Sequence, residues 1–191
     1  PVLGIIILSN AFLWFMGSMV LLLINQLSVN QLDFEAFTTS VVIVSIIAGI
    51  AAGALLSSRL VYKMKWQHLL IITGILMGVV LSVIGLVVYV PNEFQFAYLA
   101  GMFFLLGTGS GAFTIPVKAF IQILPKPEEK GTVIAASNFA VFIGVLLSGP
   151  FLFVFNYMNM PANQIFFVIS ALVFIVAAYL LRKLPMENGY V

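Results

Sequence analysis

The eight Lys and Arg residues of this chain all fall in or beside alternate gaps between its hydrophobic runs. They are Arg59, Lys63, Lys65, Lys118, Lys126, Lys130, Arg182 and Lys183. The runs lie at roughly 2–27, 36–58, 67–90, 95–123, 132–156 and 163–181, each near the ~20 apolar residues a membrane-crossing helix needs. Basic residues follow span two, close span four and fill the loop after it, and follow span six. The gaps after spans one, three and five carry no basic residue; their charged groups are Asp33, Glu35 and Glu93. Lys and Arg in short loops mark the cytoplasmic side. The sequence therefore predicts six crossings with both ends of the chain cytoplasmic. Adding or losing one span would scatter the basic residues over both sides, so the charge pattern supports the count.

Composition closes off other classes. The chain is 63% hydrophobic and 7% charged, too little charge to cover a soluble domain of this size. Six spans with short loops use nearly all of its 191 residues, leaving no room for a soluble domain. The net charge of +2 is topological, so no nucleic-acid partner is expected. With no cysteine, there is no disulfide framework and no thiolate metal site. The chain starts at Pro1 and enters span one at once, with neither a basic leader nor a small-residue cleavage site. It reads as a segment of a longer protein.

Comparing the spans reveals an internal order. Span one carries Ser9, Asn10, Trp14, Ser18, Asn25 and Gln26; span four carries Thr108, Ser110, Thr114, Lys118 and Gln122. Spans two and five are rich in small residues, including Gly49, Gly53, Gly144 and Gly149. Spans three and six are bland. The order polar, small, bland thus occurs twice, over 1–91 and 92–191. Three crossings are an odd number, so the second triplet runs inverted to the first, a pattern found in secondary transporters. The expected fold is an all-α membrane protein of six transmembrane helices arranged as a 3+3 inverted repeat. Helices apolar all round are expected to face lipid, and polar stripes to face the interior or water. Spans three and six should then be peripheral, and spans one and four should line a cavity.

Helical spacing sharpens the cavity expectation. Asn10, Trp14, Gly17, Leu21 and Asn25 step by intervals of three and four, as do Gly107, Gly111, Thr114, Lys118 and Gln122. At 3.6 residues per turn each set shares one face. The candidate substrate cavity comprises Asn10, Trp14, Asn25, Thr114, Lys118, Gln122 and Asn138. Gly49, Gly53, Gly107, Gly111 and Gly149 are expected at helix-packing contacts. Lys118, the only basic residue within a span, has two readings. It either snorkels from a depth of about 9 Å or contacts an anion such as a substrate phosphate. Asn10, Asn25 and Asn138 also read as interhelical hydrogen-bond partners. Trp66 and Tyr62 read as interfacial belt residues. Arg59, Lys63 and Lys65 are expected to face anionic membrane lipid.

The stretch from Gly107 to Gln122 resembles the tenth helix of major facilitator superfamily transporters. More narrowly, Gly111, Pro116, Ala119 and Gln122 match the lysophospholipid transporter branch, with Lys118 where that branch has Asn. Pro127-Glu-Glu-Lys130-Gly131 and Ala135-Ala136-Ser-Asn138-Phe139 resemble its following loop and helix start, and Phe12-Leu-Trp14-Phe15 its aromatic seventh-helix start. Around Gly53 the superfamily's signature loop is degenerate: Ser57 stands where Asp belongs and Leu60 where Gly belongs. The resemblance implies the carboxy-terminal six-helix half of a 12-helix transporter in a bacterial inner membrane. Its partners would be an amino-terminal half outside this chain, membrane lipid, and a small-molecule or lipid substrate. The substrate alternatives are another small solute or drug, and a further alternative is the membrane domain of a fused acyltransferase. An enzyme within the spans is disfavoured, because acyl or phosphoryl transfer needs a base. The six acids (Asp33, Glu35, Glu93, Glu128, Glu129, Glu187) all fall in loops or the tail, and His68 stands alone. Neither a metal nor another cofactor is expected.

Overall fold

A computed structural model describes residues 2–61 and 63–184. Tyr62 and Glu187, placed by the sequence in the belt and the tail, lie outside the described residues. Among the described residues six α-helices form: α1 (Val2–Asn30), α2 (Ala36–Leu60), α3 (Trp66–Gly85), α4 (Asn92–Ile123), α5 (Lys130–Tyr157) and α6 (Ala162–Lys183). All six are long and apolar enough to cross a membrane. At 1.5 Å per residue even the shortest, α3, is about 30 Å long and spans the hydrocarbon. Span three was expected to run to 90, but α3 stops at Gly85 and a short 3-10 turn, Val87–Tyr89, follows. Pro91 ends that turn: the residue before a proline is pushed out of helical geometry, and Val90 is extended.

The turns at the acidic end use residues that tolerate left-handed backbone. Asp33 and Asn159 have φ of 53° and 55°, where Asp and Asn are enriched. Asn159 closes α5 with the paired bonds of a Schellman cap: Met160 N–H donates to the Phe155 carbonyl and Asn159 N–H to that of Asn156, both at 3.0 Å.

Three helix pairs dominate the packing: α2 with α4, α1 with α5, and α3 with α6. Exchanging α1 with α4, α2 with α5 and α3 with α6 maps the first pair onto the second and the third onto itself, as an inverted 3+3 repeat requires. Contact registers give the directions. Gly49 meets Phe104 and Gly53 meets Thr108, so α2 and α4 are parallel. Asn10 meets Ser137 and Gln26 meets Asn156, so α1 and α5 are parallel. Gly74 meets Ala177 while Gly85 meets Phe167, so α3 and α6 are antiparallel. These directions gather the described basic residues at one end of the bundle. There Trp66 of α3 stacks on Phe120 of α4, with ring centroids 4.1 Å apart. At the other end Gln31 and Asn163 exchange two hydrogen bonds of 3.0 Å, tying α1 to α6, and the Tyr98 hydroxyl donates to the Val83 carbonyl, tying α4 to α3.

One expectation is corrected and another refined. Within these six helices span three is the most buried: 61% of the residues in its most apolar stretch are buried, against 11% for α5. An apolar helix still has an inside. Gly78 and Gly85 of α3 receive the rings of Phe174 and Phe167 from α6, Ser82 and Ser170 bond at 2.7 Å, and Gly109 of α4 receives Met77. The outward side of α3 is a narrower strip including Ile72, Ile75 and Val79. Trp66, in turn, is not a lipid-facing belt residue, because the Phe120 stack buries it.

Candidate functional site

The structure separates the residues that spacing had placed together. On α4, Gly107 and Gly111 are covered by α2. A Cβ on either would overlap a backbone carbonyl oxygen, that of Ile46 or of Ile50. Gly49 and Gly53 of α2 sit just as tightly on the carbonyls of Phe104 and Thr108. Two Gly-x-x-x-Gly segments therefore face each other in parallel, each helix resting its bare Cα positions on the other's backbone. Beyond Gly111 the stripe becomes progressively more exposed. The Thr114 hydroxyl donates to the Ser110 carbonyl at 2.8 Å, half-buried. Lys118 is half-buried, five residues before the helix ends at Ile123, and Gln122 is exposed. Among the described residues the Lys118 ammonium has no hydrogen-bond or ion-pair partner.

On α1 the stripe also divides. Trp14 (47% exposed), Leu21 and Asn25 look outward, but Asn10 is fully buried and turned to α5. Its Nδ2 donates to Ser137 Oγ at 3.1 Å, while its Oδ1 is buried without a partner. Two more polar pairs continue the seam at eight-residue intervals along α1. Ser18 and Ser148 share a hydrogen bond of 2.8 Å, and Gln26 Nε2 donates to Asn156 Oδ1 at 2.9 Å. Ser137, Ser148 and Asn156 were missed by the sequence reading, which had favoured Asn138. Asn138 is exposed, one helical step of 100° away from Ser137. Gly149, expected at a packing contact, is exposed and has open space at its Cβ position; Gly144, where a Cβ would come within 2.6 Å of the Ala11 carbonyl oxygen, holds that role on α5.

The seven expected cavity residues thus do not enclose one cavity in this chain. Two other spaces are present. A small internal one lies between Ser9, Met16, Gly74, Met77, Phe113 and Ala177. An open groove of about 720 Å³ runs between α1 and α5, lined by Phe12, Phe15, Ile143, Leu147 and Phe151 among others. Neither touches any of the seven. What Trp14, Asn25, Thr114, Lys118 and Gln122 do share is partial or full exposure on spanning helices, where polar groups normally face a partner or a water-filled path. No group of three or more His, Cys, Asp or Glu side chains is placed to hold a metal among the described residues.

Comparison with known proteins agrees with this architecture. The family model of the Major Facilitator Superfamily matches residues 1–149. The chain is 27% identical over 147 residues to "Magnetosome protein MamH" of Paramagnetospirillum magneticum, a match covering 74% of this chain and 33% of that protein. The chain therefore spans about a third of the length of this curated relative. No solved structure matches.

Proposed function

We propose, for a chain that belongs to the Major Facilitator Superfamily, that it is the carboxy-terminal six-helix half of a 12-helix transporter working by alternating access. The observation that carries this reading is the exposure of α2 and α5. Each buries only a narrow stripe, Thr39, Val42, Gly49, Gly53 and Ser57 on one and Ser137, Gly144, Ser148 and Leu152 on the other. Their remaining faces offer a second half a surface, and the greater length of the matched relative agrees with one. The basic end is assigned to the cytoplasm by the positive-inside rule. Cysteines at Asn92 and Asn159 should label with an impermeant thiol reagent from outside and one at Lys126 should not; the reverse pattern overturns the orientation.

The substrate reading is a lysophospholipid. It is supported by the resemblance of the Gly107–Gln122 stretch to that branch and by Lys118, a half-buried cation with no protein partner among the described residues. An ammonium in partly desolvated surroundings attracts a phosphate far more strongly than one in water. The test is flux in proteoliposomes holding the full-length protein. Uptake of a lysophospholipid, competed by other lysophospholipids and not by soluble solutes, is the expected result. Flux of a soluble solute alone would retire the lipid substrate and keep the transporter. Absence of any flux from protein shown to be folded would retire both.

A further inference from the structure

We propose that Ser57 of α2 is a positioning residue for the inner end of α4. Its hydroxyl and the Ala112 carbonyl form a latch, open in this structure, that closes when the last turns of α4 lean toward α2. Ser57 is fully buried, and among the described residues its Oγ has no hydrogen-bond partner. Neighbouring hydroxyls of the two helices are satisfied within their own helix. Ser58 donates to the Leu55 carbonyl, Thr108 to that of Phe104 and Thr114 to that of Ser110. A buried donor left unpaired is costly, so a conformation that offers Ser57 an acceptor competes with the one in this structure.

The register of the α2–α4 contact identifies that acceptor. Gly49 faces the Phe104 carbonyl and the Thr108 nitrogen; Gly53, one turn on, faces the Thr108 carbonyl and the Ala112 nitrogen. The next step of four brings Ser57 level with the Ala112 carbonyl and the nitrogen of residue 116. Residue 116 is a proline inside α4. It has no N–H, so the carbonyl of Ala112, itself a buried residue, lacks its helical donor. A donor without an acceptor thus stands level with an acceptor that has lost its donor.

The same proline loosens α4 where the latch acts. The end of α4 has a competing hold on its other side. Gly111 faces α2, whereas Gly109, about 200° around the helix, receives Met77 of α3. Phe120 lies about 20° from the direction of Gly109 and stacks on Trp66 of α3. Lys118 lies about 20° from the direction of Gly111, on the α2 side. The stack on α3 is made in this structure and the bond to α2 is not. A lean of about 20° at Pro116 moves Gln122, six residues on, by about 3 Å and covers Lys118 against α2. The glycine contact precedes the proline and stays closed throughout. The latch therefore sets whether Lys118 is presented or covered, whatever its ammonium binds.

The experiment uses the full-length protein with no cysteines beyond two introduced ones, Gln122→Cys on α4 and His68→Cys on α3, both at exposed positions. Each carries a spin label, and their separation is measured by double electron–electron resonance in nanodiscs of phosphatidylethanolamine and phosphatidylglycerol. Two separations about 3 Å apart are expected, the shorter being the conformation of this structure. Ser57→Ala should lower the ratio of the longer to the shorter about three- to sixteenfold, the range that one interhelical side-chain hydrogen bond supports in a membrane. Pro116→Ala restores an N–H for the Ala112 carbonyl, so in that background Ser57→Ala should leave the ratio unchanged. A ratio that Ser57→Ala does not alter in the parent protein overturns the latch. An equal effect of Ser57→Ala with and without Pro116→Ala gives Ser57 a different acceptor and overturns it as well.

Discussion

The α2–α4 and α1–α5 seams occupy equivalent places under the inverted repeat, yet different chemistry joins them. Four glycines close the first, each against a carbonyl of the opposite helix. Three side-chain hydrogen bonds and a single tight glycine, Gly144, close the second. Lipid is as apolar as leucine, so neither seam gains from the hydrophobic effect; close packing and polar contacts must hold them. A backbone-on-backbone contact is unforgiving, because no rotamer can move aside when a side chain is added. A polar pair is tolerant, because each bond contributes only about 0.6 kcal/mol on average and up to ~1.7. The first seam is built to stay fixed, and the second can exchange partners at modest cost.

The sharpest way to break this contrast is to add bulk to the glycine seam. Gly53→Val should destabilise the folded bundle by about 3 kcal/mol or more, read as a drop in midpoint during unfolding in mixed micelles. Tolerance of valine there would mean that the two backbones are not in contact. Lys118→Gln lies on neither seam. It should leave the unfolding midpoint unchanged but lower transport of a phosphate-bearing substrate about tenfold or more, since tenfold is about 1.4 kcal/mol and a charged hydrogen bond contributes ~1.5–3 kcal/mol. Unchanged kinetics would return Lys118 to snorkelling. On the polar seam, a double-mutant cycle of Asn10→Ala and Ser137→Ala should give a coupling of about 0.6–1.7 kcal/mol. Zero coupling would show that the Asn10–Ser137 bond adds nothing to the seam, leaving the other two polar pairs, Gly144 and the Phe15–Phe151 contact to hold α1 to α5. The smallest effect belongs to Gly149→Ala, which enters open space and should stay within about 0.5 kcal/mol of the parent. A loss as large as that of Gly53→Val would place Gly149 in an interface that this chain alone does not contain.

Much of the fold was legible because a bilayer acts on sequence in one dimension. Length and apolarity set the crossings, and the side on which Lys and Arg collect sets the direction. The repeat was legible for a related reason: the polar, small and bland characters are averages over whole spans and survive errors in any one residue. The candidate site was less legible. Gly107 and Gly111 lie on the same spacing as Thr114, Lys118 and Gln122, and the pattern cannot register that α2 covers the two glycines while the stripe beyond them grows more exposed. Nor did blandness predict position. Gly74, Gly78 and Gly85 carry no polar signal, yet they are what lets α3 take side chains from α6.

By itself, the sequence determined the number of spans, their alternating direction, the gathering of basic residues at one end and the membership of a transporter family. Each follows from solvent preference or from residues in fixed order, so none needs a partner to be known. Only the tertiary structure decided that Asn10 pairs with Ser137 and not Asn138, that Gly149 faces outward while Gly144 packs, and that an apolar groove remains between α1 and α5. The physical reason is rotational. One residue along a helix is a turn of 100°, and which side chain then meets a neighbour depends on where two helices cross and how each is rolled. Those angles come from packing all six helices together, and no single span carries them.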